Sequence, residues 1–264
     1  MSDEEFETWN PEDYKSNRPS EEEIKESIRI WDKAIENFKP IPEDFILYMQ
    51  GYFDKNLEVR NFGIFTGNAT TQLDRKVAEL YQGLDEKNYL YIIYPDGEIK
   101  GLYMPVSGPS GLDENRILLH SNQEWMILHR DDEHKIVLIK LLTPEGVKEN
   151  KKLIETINNL VDESEPLKDN IKFFYGGFFD RTLKKDEYGE FKAPIQAFPS
   201  SELGEKYKNQ FPSNYFYTIL SPKGTKTAPI STDEDGLVFL LPSHQKWKLT
   251  KRDDENKEVE ILLQ

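Results

Sequence analysis

The hexapeptide Asn88-Tyr89-Leu90-Tyr91-Ile92-Ile93 returns 126 residues later as Asn214-Tyr215-Phe216-Tyr217-Thr218-Ile219. No other feature narrows the fold so far, because its surroundings recur in step. The apolar face Ile28/Trp31/Ile35 matches Ile154/Ile157/Val161, Pro40 matches Pro166, Gly51-Tyr52-Phe53-Asp54 matches Gly177-Phe178-Phe179-Asp180, and Tyr81 matches Tyr207. After a shortened middle the match resumes at an offset of 122, pairing Gln123-Glu124-Trp125 with Gln245-Lys246-Trp247 and Arg130-Asp131-Asp132-Glu133 with Arg252-Asp253-Asp254-Glu255. The repeat predicts an acidic mobile lead-in over 1–20, a first α+β repeat over 21–143 and a second over 144–264, with the boundary at Thr143-Pro144-Glu145-Gly146. Two such modules in one chain are expected to pack about an approximate two-fold axis, making a monomer that is itself pseudo-dimeric.

Within each repeat the periodicities read as helix, hairpin, helix and then a run of antiparallel strands, an α+β arrangement. Ser20 followed by Glu23 has capping-box spacing, and Ile24, Ile28, Trp31, Ile35 and Phe38 form the stripe of a helix ending before Pro40. Phe45 to Phe53 reads as a strand with Val59 to Phe65 as its hairpin partner across Asp54-Lys55-Asn56. A second helix is expected from Thr70 to about Gln82. A hairpin should follow, joining Asn88–Tyr94 to Ile99–Met104 across Pro95-Asp96-Gly97, and another joins Glu124–His129 to Lys135–Leu142.

Composition bounds the partners. Hydrophobic residues make up 37% and charged residues 31%, so the exterior should be heavily charged, while 12% aromatics in alternating runs belong to a folded chain. The net charge of -15 argues against binding a nucleic-acid backbone, and ten acids against three bases within residues 1–26 supply -7 of it. The absence of cysteine excludes disulfides, thiol nucleophiles and thiolate metal sites. An opening Met-Ser-Asp-Glu-Glu-Phe without a signal-peptide pattern, and the lack of a long apolar run, make cytoplasmic the expected location, with no membrane partner.

Chemistry is hard to find. His120, His129, His134 and His244 fall opposite Pro242, Lys251, Asn256 and Asn122 of the other copy, so no histidine is shared. No phosphate loop or nucleophile elbow appears, and neither a cofactor, a metal site nor a catalytic residue is assigned. The candidates that recur are the tips Arg130, Asp131, Asp132, Glu133 and Arg252, Asp253, Asp254, Glu255, with Trp125 and Trp247 beside them. If exposed, these would anchor a basic protein partner.

The element order and acidic charge resemble small acidic immunity proteins that neutralise secreted nuclease toxins. The resemblance implies a non-enzymatic inhibitor or antitoxin occluding a basic partner. The alternative is an enzyme, or a small-ligand or metal-binding protein, using carboxylates such as Asp54 and Asp180 in the cleft between the repeats. A further alternative is a DNA mimic.

Overall fold

Strand β4 (Asn88–Tyr94), the first copy of the repeated hexapeptide, buries Tyr89, Tyr91 and Ile93 on one face and Leu90 on the other, and is hydrogen-bonded along both edges. Its neighbours are β1 (Leu47–Tyr52), antiparallel, and β8 (Ile136–Leu142), parallel. The parallel pairing suits strands covered on both sides, which read as continuous apolar runs. The computed structural model describes residues 19–107, 113–210 and 214–264. Residues 1–18, most of the expected mobile lead-in, and most of the loop expected at 106–111 lie outside these. Among the described residues the fold is α+β, with three sheets and four helices.

Around β4 the eight-stranded sheet runs β2 (Phe62–Ile64), β7 (Glu124–Asp131), β8, β4, β1, β3 (Thr70–Gln72), β6 (Asp113–Leu119), β5 (Gly101–Ser107). Between β1 and β3 the only register pair is Tyr48 with Gln72. After Thr143, a five-stranded sheet runs β10 (Tyr188–Glu190), β15 (Lys246–Asp253), β16 (Glu258–Leu263), β12 (Tyr215–Ser221), β9 (Ile171–Gly177). A three-stranded sheet runs β11 (Ile195–Ala197), β14 (Gly236–Leu241), β13 (Ala228–Thr232), and a lone bridge joins Phe174 of β9 to Phe198. Strand β12 has an antiparallel neighbour in β9 and a parallel one in β16. No sheet crosses Thr143, and the residues on either side of it are called below the N-terminal and C-terminal halves. Each has its own main apolar core.

Several expectations from sequence are corrected by this topology. The sheets are mixed rather than antiparallel throughout. Strands β1 and β2 do not form a hairpin, because β1 lies between β3 and β4 while β2 caps the edge of β7. Nor does the Pro95-Asp96-Gly97 turn close a hairpin: β4 requires β8 on its free edge, and β5 pairs with β6. The β7–β8 hairpin is present. Helix α1 (Glu21–Ile35) starts at Ser20, where Glu23 N–H donates to Ser20 Oγ and Ser20 N–H donates to Glu23 Oε2, but most of its apolar stripe stays open to solvent. Helix α2 spans Arg75–Gln82 rather than starting at Thr70, since β-branched Thr70 and Thr71 enter β3 and Asp74 caps the helix by accepting from Lys76 N–H. Helices α3 (Pro144–Glu163) and α4 (Ser201–Lys208) lie in the C-terminal half.

The expected two-fold axis is also corrected. Glu133 pairs with Arg181 at 2.7 Å, and the Arg130 guanidinium lies 5.1 Å over the Phe178 ring. A two-fold would require Glu255 to reach Lys55 and Arg252 to cover Tyr52, yet Tyr52 is 75% exposed and Arg252 covers Phe179 of its own half. The halves meet in an unreciprocated, heterologous contact.

Trp125 and Trp247 are buried, not surface anchors: each lies beneath a glycine of the neighbouring strand, Gly63 and Gly189 respectively. A Cβ on either glycine would come within 2.2 Å of the indole. Replacing Gly63 or Gly189 by Ala is therefore expected to destabilise the fold by about 1–3 kcal/mol through overpacking. Gly67→Ala, which meets only Ile28 at 3.9 Å, should cost far less, and urea denaturation of the three variants measures the difference.

Candidate active site in the cleft between the halves

Strand β1 ends into a turn in which Asp54 Oδ1 accepts from Asn56 N–H, and the chain then rises as Leu57, Glu58, Val59 and Arg60 toward the C-terminal half. Arg60 takes a left-handed backbone (φ 67), its N–H bonded to Ile127 O, and its Nη1 donates to Pro194 O at 2.8 Å. Between this segment and the residues from β9 to β11 lies a cleft of about 770 Å³. The N-terminal half contributes Glu58, Arg60 and His129; the C-terminal half contributes Asp180, Glu190 and Lys192, over a floor of Tyr175, Tyr217, Phe191 and Trp247.

Three acids (Glu58, Asp180, Glu190) face three bases (Arg60, Lys192, Lys246) along the walls, a balanced lining in a chain of net charge -15. Their surroundings differ. Glu190 accepts from His244 Nδ1 at 2.7 Å, which with Lys192 holds its carboxyl below the usual range. Asp180 caps its turn, accepting from Thr182 N–H and Oγ1 at 2.9 and 2.7 Å. The Glu58 carboxyl has no ion pair or hydrogen bond among the described residues. Burial pushes its pKa up against the pull of Lys192 and Arg130, and Asp180 and Glu190 add to the rise. His129 is buried in the wall and pushed down to about 4 by desolvation, with Asp131 opposing. The cleft thus combines a carboxyl that keeps its proton to higher pH with an imidazole that stays neutral to low pH.

The residues singled out from sequence fall mostly elsewhere. In the Arg130 segment, Asp132 receives a two-pronged bond from the guanidinium at 2.7 and 2.6 Å and a third from Tyr89 Oη at 2.8 Å. Asp131 accepts from Glu133 N–H, His134 N–H and His134 Nδ1, and although burial opposes ionisation these bonds hold its pKa below the usual range. Arg252, Asp253 and Asp254 repeat the pattern with Asn256 and with Tyr215, whose hydroxyl is pushed up to about 12 by burial and by Asp254. Of the eight tip residues, only Glu255 has an exposed side chain without a bond among the described residues. The tips are braces, and their carboxylates are engaged within the chain. Of Asp54 and Asp180, only Asp180 lines the cleft, so the two are not brought together there. Among the described residues no three or more His, Asp or Glu side chains gather as metal ligands. The unpartnered buried indole N–H of Trp247 is matched by that of Trp125 outside the cleft, which assigns it to packing rather than to a ligand.

Glu58, Arg60 and Lys192 were not visible as candidates because their counterparts at the 126-residue offset are Lys184, Asp186 and Thr66. A search for groups common to both copies passes over them. For Glu58 and Arg60 a charge reversal at the matched loop positions was the signal available.

No protein-family model matches the chain, and no characterised protein is recognisably similar to it in sequence. Solved structures do match. Vis toxin, an ADP-ribosyltransferase from Vibrio splendidus, is 14% identical over 47% of this chain and 59% of its own, with a TM-score of 0.37. C3larvin toxin, an ADP-ribosyltransferase from Paenibacillus larvae, is 14% identical over 44% and 78%, with a TM-score of 0.33. Exoenzyme S from Pseudomonas aeruginosa, in complex with human 14-3-3 protein beta and bound to Carba-NAD, is 12% identical over 46% and 60%, with a TM-score of 0.36. The match to Vis toxin spans less than two-thirds of that protein's length. Vis and C3larvin are ADP-ribosyltransferase toxins, enzymes rather than the non-enzymatic inhibitor, immunity protein or antitoxin expected from sequence. Most carboxylates of the two acidic tips are engaged within the chain. No helix among the described residues is long and apolar enough to cross a membrane.

His129 yields a pH test. Its folded pKa of about 4 lies below the ordinary 6.5, so between those values the unfolded chain binds the extra proton. Stability is therefore fully present above about 6.5 and falls as pH drops toward 4, by on the order of 3 kcal/mol for this group. Urea denaturation at pH 7 and pH 5 should show His129→Gln losing less stability over that interval than the parent chain.

Proposed function

We propose that the chain is an enzyme whose active site is the cleft between the halves, with Glu58 as the group that gives and takes the proton. The observation that carries this reading is the Glu58 carboxyl itself, desolvated, unpaired and facing Lys192, Asp180 and Glu190 across the cleft. A carboxyl with a raised pKa donates a proton to a leaving group near neutral pH and returns as a base, the pattern by which acid–base sites separate their roles. The balanced lining suits a small polar substrate, its charged ends held by Arg60 or Lys192 on one side and by Asp180 or Glu190 on the other. The excess of acid outside the cleft favours a basic macromolecule as the second party to the reaction.

We infer further that the two halves are copies of one module, joined at Thr143-Pro144-Glu145-Gly146. The strand orders β2-β7-β8-β4-β1 and β10-β15-β16-β12-β9 correspond, as do β3-β6-β5 and β11-β14-β13, and Tyr48–Gln72 corresponds to Phe174–Phe198. The left-handed residues pair likewise: Arg60 with Asp186, Asn122 with His244, Lys135 with Lys257.

Titrating the side-chain carboxyls by carbon-13 NMR tests the enzymatic reading without a known substrate. Glu58 is expected to titrate above the ordinary glutamate range, and a midpoint at the ordinary value would remove it as the proton donor. ADP-ribosyl transfer, named for the matched toxins, is the first reaction to assay. In whichever reaction is found, Glu58→Gln should lower kcat by roughly 100-fold or more with the fold intact.

A further inference from the structure

Arg130 is a buried guanidinium whose bonds converge on the segment that carries Glu58. Nη1 donates to Lys55 O at 2.9 Å and to Leu57 O at 3.0 Å, the carbonyls just before Glu58. Nε and Nη2 grip Asp132 at 2.7 and 2.6 Å, anchoring the other end of the fork in the β7–β8 turn. The flat faces are covered as well, with Phe53 of its own half at 5.4 Å and Phe178 of the C-terminal half at 5.1 Å. Arg252 makes the corresponding bonds, to Arg181 O, Leu183 O and Asp254, but the ring its guanidinium covers, Phe179, belongs to its own half. Of these two arginines only Arg130 reaches a ring of the other half, and with Arg60, which donates to Pro194 O, it ties the Lys55–Arg60 segment to both halves.

We infer that Arg130 is a positioning residue for the active site, holding the Lys55–Glu58 segment in register with Asp180, Glu190 and Lys192 across the cleft. This rests on the reading of Glu58 given above. The fork fixes the height of the segment on its own half, and the contact with Phe178 fixes its distance from the other. Only a planar, delocalised cation can fork a carboxylate, donate to two carbonyls and stack on two rings together. A lysine keeps the charge and gives up that geometry.

Arg130→Lys in the full chain separates the two contributions. The groups that bear on the Glu58 carboxyl are Lys192, Arg130, Asp180 and Glu190, and this substitution leaves all four charges in place. Loosening the segment admits water to Glu58, so its NMR titration midpoint should fall toward the ordinary glutamate value. Amide hydrogen exchange over residues 55–60 should rise several-fold. Arg252→Lys, which loosens the matching loop on the opposite wall of the cleft, should leave exchange over residues 55–60 unchanged and move the Glu58 midpoint less. Where the parent chain shows a raised midpoint, an unmoved midpoint in Arg130→Lys overturns the inference, as does an equal shift in Arg252→Lys. An ordinary midpoint in the parent chain sinks the enzymatic reading instead, and the exchange comparison then decides by itself whether Arg130 holds the segment. If Arg130→Lys fails to fold, Phe178→Leu removes only the face supplied by the C-terminal half and should shift both readouts in the same direction by less.

Discussion

A strand enclosed at the centre of a sheet must find hydrogen-bond partners on both edges, and β4 meets that demand with an antiparallel neighbour on one side and a parallel one on the other. The parallel edge has topological consequences. A parallel neighbour cannot be reached through a tight turn, so the chain between Tyr94 and Ile136 has to leave the sheet centre and return running in the same direction. Strands β5, β6 and β7 occupy that excursion, and the first two build the far end of the sheet. β12 and β16 repeat the arrangement, with β13, β14 and β15 between them. The broad sheet, the position of the β7–β8 turn, and hence the place where Arg130 stands, all follow from how one apolar strand is enclosed.

That constraint also separates what was legible in the sequence from what was not. Strand positions and helix starts are local properties, and Ser20 with Glu23, the alternating run from Asn88, and the Asp-rich turn between β7 and β8 all carry their meaning within a few residues. Pairing is not local. Asp54-Lys55-Asn56 and Pro95-Asp96-Gly97 have good hairpin chemistry, yet the strands they join are drawn apart because each has a stronger claim elsewhere: β1 on β4, and β4 on β8. Asp96 is held instead by an ion pair with Lys140 of β8 at 2.7 Å. Turn chemistry shows where the chain reverses, while the burial of the strands decides what lies beside what.

The recurring Arg-Asp-Asp-Glu segments show the same ambiguity in charge. Exposed acids at a hairpin tip and acids engaged in a brace have one sequence signature, because in both cases a short carboxylate caps a turn. What tells them apart is the tyrosine of the repeated hexapeptide: Tyr89 and Tyr215 each reach the third residue of the segment. The hexapeptide and the acidic segment thus share a partly buried hydrogen-bond network, in which removing one member leaves the others less satisfied. Recurrence in this chain marks structural cooperation rather than a reactive group.

Function then has to be sought where the halves differ. In a reciprocal two-fold contact, matched loops would meet each other and a change in one copy would be felt twice. The unreciprocated contact exempts the chain from that rule. The loop after β1 faces the other half at the cleft, and its counterpart after β9 forms part of the opposite wall, so Glu58 and Arg60 stand in surroundings that Lys184 and Asp186 do not share. An acid at position 58 is desolvated by the wall it faces and opposed by Asp180 and Glu190, which moves its proton affinity toward neutrality without any change in the shared framework. The asymmetry of the contact is thus the physical source of the site: two halves with the same strand orders produce, among the described residues, one carboxyl whose pKa is raised because they meet through different faces.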